Sequence, residues 1–124
     1  MTYTPVLRSI GDIPSKARVI VRMDMDEPMQ DGVVTDEDRL KKSIPTLQAL
    51  LEKHCTLLLL GHIGRPKGKD PHFSLRPVYH VLLPLIQKAT SITCSDVFLE
   101  DVCDEAAIRA ACESHTIVCF ENVR

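Results

Sequence analysis

Four short apolar runs constrain this chain more than anything else in it. They are "ARVIVRM" at residues 17–23, "TLLLL" at 56–60, "SITCS" at 91–95 and "TIVCF" at 116–120. The first, second and fourth are almost continuously apolar, as strands buried on both faces should be. Helical patterns separate them. After "TDEDR" comes "LKKSIPTLQALLEKH", where Leu40, Ile44, Leu47, Leu50 and Leu51 form one apolar stripe. Thr35 is the candidate N-cap, with Asp36, Glu37 and Asp38 in the first turn, where acidic groups favour the helix dipole. Pro45 should kink or split this helix. A second helix is predicted over residues 75–88, capped by Ser74 and carrying Pro84, and a third over 105–113. Strands alternating with helices predict an α/β fold, a three-layer α/β/α arrangement around a mostly parallel sheet of about four strands.

At 124 residues the chain fits one domain. With 44% hydrophobic and 26% charged residues, it can bury a core and is not a disordered polypeptide. The formal net charge of −2 favours neither nucleic acid nor an anionic membrane, so any anion site must come from local clustering of basic groups. Cys55, Cys94, Cys103, Cys112 and Cys119 are odd in number and include no C-x-x-C pair, which argues against a zinc knuckle or a redox pair. The histidines lack ligand spacing, so no metal site is expected. No secretion signal is visible in "MTYTPVLRSIGD", and "TLLLL" is far too short to span a bilayer. A cytoplasmic location is expected.

Ligands of open parallel sheets bind beyond the carboxyl ends of the strands. There the chain places "DMDEP", "GHIGRPKGKD" and "ENVR", while "DVFLED" after the third run has no basic residue. In "GHIGRPKG", Gly61, Gly64 and Gly68 permit close backbone approach, and His62, Arg65 and Lys67 supply donors and positive charge. It is not a Walker A loop, because Asp70 follows Gly68-Lys69 and no glycine stands five positions before Gly68. On spacing alone it is equally a glycine-rich surface turn. Arg124 reaches the same sheet edge, Arg39 lies early in the first helix, and a lone D-x-D most often marks a polar loop.

Together these pieces resemble the N-terminal domain of phosphoglycerate kinase. The resemblance runs from near Ser15 to the last residue. "VIVRMDMDEP" is similar to the family's V-R-x-D-F-N-x-P, and "DGVVTDEDRLKKSIPTLQALLEK" to its D-G-x-I-T-D-x-x-R-I stretch and following helix. "LLLLGHIGRPKG" resembles S-H-L-G-R-P-x-G, "FSLRPV" resembles S-L-x-P-V, and "VCFENVR" resembles L-x-E-N-x-R. The resemblance implies a Rossmann-like sheet in which the present strands take the order 3-4-2-1, with strand 1 an unprotected edge. It implies a domain over residues 1–124 that is incomplete and binds 3-phosphoglycerate or 1,3-bisphosphoglycerate. Asp24 would accept a hydrogen bond from the substrate hydroxyl. Arg39 would touch substrate and serve catalysis, and His62, Arg65 and Arg124 would hold its carboxylate or phosphate. Arg22 would support the loop by ion pairing.

The complete enzyme would use Mg-ATP and ADP, bound by a C-terminal nucleotide domain. None of that site falls on this chain, which alone is expected to be inactive. Asp26 departs from the family pattern, standing where the family has asparagine. It suggests an alternative, a non-catalytic anion-binding or interaction module. A strand followed by D-x-D also resembles the first motif of haloacid dehalogenase-type phosphatases, but Pro28 stands two after the second aspartate, where Thr or Val is expected.

Overall fold

The computed structural model describes residues 8–124. Most of the opening segment that bears on a secretion signal lies outside those residues. In chain order the elements are β1 (Arg18–Arg22), β2 (Met29–Gln30), β3 (Val33–Val34), α1 (Asp38–Glu52), β4 (Thr56–Leu60), α2 (Arg76–Ala89), β5 (Asp96–Leu99), α3 (Glu105–Ser114) and β6 (Ile117–Phe120). Single 3-10 turns cover Ile10–Asp12 and Pro71–Phe73.

Four strands form one sheet in the order β1-β4-β6-β5, and every pairing in it is parallel. This is the order anticipated for the four apolar runs. Side chains alternate across the sheet. Leu57, Leu59, Ile117 and Cys119 therefore join one core with Leu40, Leu47, Leu50 and Leu51 of α1 and Val78, Leu82 and Ile86 of α2. Val118 and Phe120 turn the other way and pack on Ala111 and Cys112 of α3. Helices thus lie on both faces, and the three-layer α/β/α class holds.

Several local expectations change. The third strand is Asp96–Leu99, not residues 91–95. "SITCS" carries less apolar surface than "DVFL", and Asp96 is fixed by a hydrogen bond from the Tyr79 hydroxyl of α2. Arg76 adds a pair to Glu100 at 2.6 Å and stacks 4.5 Å over the Phe98 ring. Thr35 is not a helix cap: its hydroxyl and amide both donate to the Pro28 carbonyl, and α1 starts at Asp38. Pro45 does not split α1, which runs unbroken through it. The ring sits on the exposed side, where water can take the carbonyl its missing N–H leaves free. The Asp31-Gly32 turn joins β2 to β3 with both residues at positive φ, 53° and 77°, the geometry of a tight hairpin turn.

β1 also differs from expectation, because it is buried on one face rather than two. Val19 and Val21 pack on the core, while Ile20 is 67% exposed. The cause is coverage: α3 contacts β5 and β6, leaving the β1 end of its face open. An edge strand with an exposed isoleucine invites self-association. Concentration-dependent association is the expected result by light scattering, and Ile20→Lys should suppress it. A wild-type monomer at high concentration would contradict this.

All five cysteines are free thiols. Cys55, Cys112 and Cys119 are buried, and burial pushes the Cys119 thiol up to about 12, so it packs as an inert apolar group. Among the described residues, no helix is long and apolar enough to cross a membrane, and no cluster of three His, Cys, Asp or Glu side chains is placed to hold a metal ion.

Candidate anion site at the strand tips

Beyond Arg22 the strand ends, but burial still alternates from residue to residue through Glu27. Met23 and Met25 enter the core, and Asp24 and Asp26 point the other way. This alternation accounts for the D-x-D spacing: two methionines anchor the loop and two carboxylates are displayed. The loop is closed from within, since the Asp26 amide donates to Asp24 Oδ1 at 3.3 Å.

α1 brings Arg39 to this loop. Its Nη1 donates to the Asp26 carbonyl at 2.6 Å and lies 3.7 Å from Asp24 Oδ1. β4 ends at Leu60 and delivers His62 to the same place. Arg22, Met23, Asp24, Asp26, Arg39 and His62 line a cavity of about 410 Å³. The ion pair expected of Arg22 is not found among the described residues; Arg22 lines the cavity instead.

The other two basic residues stand to one side. Arg65 is exposed and does not line this cavity. Arg124 lines a second cavity, of about 530 Å³, formed mainly by loops on either side of the Pro71–Phe73 turn and after β5. Gly64 links the two regions. Its amide donates to Asp26 Oδ1 at 3.4 Å, and its carbonyl accepts from Arg124 Nη1 at 3.5 Å.

Two positioning residues escaped the sequence reading. Asn122 donates through Nδ2 to the Ile63 and Phe73 carbonyls at 2.7 and 2.9 Å, and its Oδ1 accepts from the Ile63 and Arg124 amides. Glu121 accepts from the Leu75 amide and the Ser74 hydroxyl, both at 2.7 Å. Ser74 is not the cap residue of α2, which is Leu75 without a side-chain cap bond; Ser74, one residue earlier, accepts from the Arg76 amide through Oγ, and Glu121 takes the Leu75 amide. The dipeptide after β6 thus ties the glycine loop to the start of α2. The signal lies in "ENVR", where a carboxylate and an amide directly follow a buried strand.

Gly64 has φ of +59°, and a Cβ there would come within 2.3 Å of the Phe73 ring. Gly64→Ala should cost about 1–2 kcal/mol from the left-handed backbone alone, and displacing the ring adds to it. Chemical denaturation would measure the loss; an unchanged midpoint would contradict the geometry.

The family model described as phosphoglycerate kinase matches residues 10–124. The chain belongs to the phosphoglycerate kinase family. The phosphoglycerate kinase of Rhodopseudomonas palustris is 38% identical over 98% of this chain and 30% of its own length. That of Thermus thermophilus is 49% identical over 61% of this chain and 20% of its own. Among solved structures, phosphoglycerate kinase from Coxiella burnetii is 26% identical with a TM-score of 0.73, over 97% of this chain and 28% of that one. The enzyme from Pyrococcus horikoshii, at 23% identity and a TM-score of 0.77, shares the fold over 95% of this chain and 28% of its own. The chain therefore spans about 30% of the length of the curated relatives it matches.

Proposed function

We propose that this chain carries the 3-phosphoglycerate-binding face of a phosphoglycerate kinase, and that the rest of such an enzyme supplies Mg-ATP or ADP. One observation carries the reading. Asp24 and Asp26 from the tip of β1, Arg39 from α1 and His62 from the tip of β4 line one cavity, although they are distant in sequence. A small acid with a carboxylate and a phosphate needs cations, donors and one hydroxyl acceptor converging from several directions.

In this reading Arg39 offers a planar fork to the anionic end, and His62 a ring nitrogen. Asp24 accepts from the substrate hydroxyl. Arg65 and Arg124 swing in from the flank, where Gly64 already couples Arg124 to the Asp26 loop. Phosphoryl transfer from 1,3-bisphosphoglycerate to ADP asks little covalent help of the protein, so these residues act by placement and charge neutralisation. Site, substrate and cytoplasmic location belong to this proposal together.

The test is titration with 3-phosphoglycerate, following the side-chain resonances of Arg39, Arg65, Arg124 and His62. Saturable shifts at Arg39 and His62 are expected, with smaller ones at Arg65 and Arg124. Shifts scattered over the surface without saturation would end the reading. The Asp26 carboxylate in the cavity favours a second reading, a non-catalytic anion-binding module. Turnover on mixing the chain with a separately produced nucleotide domain would decide against it.

A further inference from the structure

The alternation that buries Met23 and Met25 has a third inward member, and it is Glu27. Its side chain is only 1% exposed, and neither carboxyl oxygen completes a well-formed hydrogen bond, although the Arg39 and Leu40 amides at the start of α1 lie close enough to favour its charged form. The nearest cation is Arg39, whose Nε lies 3.9 Å from Glu27 Oε1. That is ion-pair range but beyond a hydrogen bond. Arg39 is itself half exposed and faces the cavity. Glu27 therefore grips, from the core side, the arginine that the cavity displays.

We propose that Glu27 is a positioning residue for Arg39, and that an anion arriving at Arg39 is taken up together with a proton on Glu27. This rests on the substrate reading above. An anion shares the charge of Arg39 and sets a further negative group nearby. The buried carboxylate then loses the part of its compensation that the Arg39 charge supplies and keeps only the Arg39 and Leu40 amides, which moves it toward the protonated form. A carboxyl with only a packing role would carry the same proton with and without the anion.

The surroundings support this poise. Burial raises the pKa of Glu27, the amides of Arg39 and Leu40 at the start of α1 pull it back, Asp36 pushes it up, and the Arg39 charge pulls it down. Around the cavity stand Asp24 and Asp26 on the same loop, Arg22 at the end of β1 and His62 beyond β4. With a raised pKa, the folded chain holds more protons than the unfolded one just above pH 4.5. Stability owed to this group is complete below pH 4.5 and is lost as pH rises through the raised value.

The experiment compares wild type, Glu27→Gln and Glu27→Leu. Calorimetry of 3-phosphoglycerate binding in buffers of different ionisation enthalpy reads the protons taken up. The Arg39 Nε resonance, followed against pH without ligand, reads the coupling directly. Wild type should take up more protons per ligand than either variant, and comparison between forms cancels what the ligand and the rest of the site contribute. The Arg39 resonance should show an inflection above pH 4.5 that both variants lose. Binding with equal proton uptake in all three forms would overturn the inference and leave the substrate reading standing, as would an Arg39 inflection that survives Glu27→Gln. Absence of binding in all three would sink the substrate reading and the linked proton with it.

Discussion

Arg39→Ala should weaken 3-phosphoglycerate binding by roughly ten- to a hundredfold, with the chain still folded. Hydrogen bonds to charged groups contribute about 1.5–3 kcal/mol each, and every ~1.4 kcal/mol is about tenfold in affinity. Arg39 also offsets the charge of the Asp24 carboxylate, which lies 3.7 Å from its Nη1. Without the guanidinium, both aspartates of the loop face the incoming anion unopposed. α1 itself tolerates the change because Arg39 lies in its first turn, is half exposed, and alanine is a strong helix former, while some stability is lost where the buried Glu27 carboxylate loses its nearest cation. Arg39→Lys should recover only part of the affinity, since it restores charge without the planar fork. Calorimetry on the three forms, with circular dichroism as the folding control, makes the check. Unchanged affinity in Arg39→Ala would remove that side chain from the site.

The strand order, both helix-covered faces and the positions of the loops were legible because they depend on apolar periodicity, which the sequence carries locally, and on the motifs that carry the family resemblance. The limits of β5 were not. "SITCS" and "DVFL" are adjacent and both short, and beyond the larger apolar surface of the second the choice rests on Tyr79 and Arg76, which reach Asp96 and Phe98 from α2. Contacts between distant segments leave no periodic trace. The single-sided burial of β1 has the same origin, since its residues look strand-like whether or not α3 extends over them.

The site divides similarly. Asp24, Asp26, Arg39 and His62 were named from their motifs, and they do share a cavity. Asn122 clamps the glycine loop through carbonyls and amides that no residue pattern predicts. Glu27 is the most instructive omission. Its inward orientation follows from simple alternation counted from Met23, but a charged residue beside a polar loop reads as solvated until that alternation is seen to continue past the strand.

Asp26→Asn is expected to tighten 3-phosphoglycerate binding about tenfold or more. The side chain of Asp26 is not neutralised by an arginine: its Oδ1 accepts from the Gly64 amide, and it is the main-chain carbonyl that Arg39 holds. The carboxylate therefore stands without a cationic partner on the wall of the cavity proposed to take the anion. At an effective dielectric of ~20, like charges ~4 Å apart repel by roughly 4 kcal/mol before screening and relaxation. An asparagine keeps an oxygen for the Gly64 amide, removes the charge, and adds two N–H donors where an ionised aspartate can only accept. Because the loop keeps its hydrogen bond, stability should hardly change, so the gain would belong to binding alone. The advantage should shrink as salt is raised, since screening weakens the repulsion that the substitution relieves. Equal affinities for the two forms at low salt would mean that Asp26 does not face the ligand, and the place of the β1 loop in the site would have to be withdrawn.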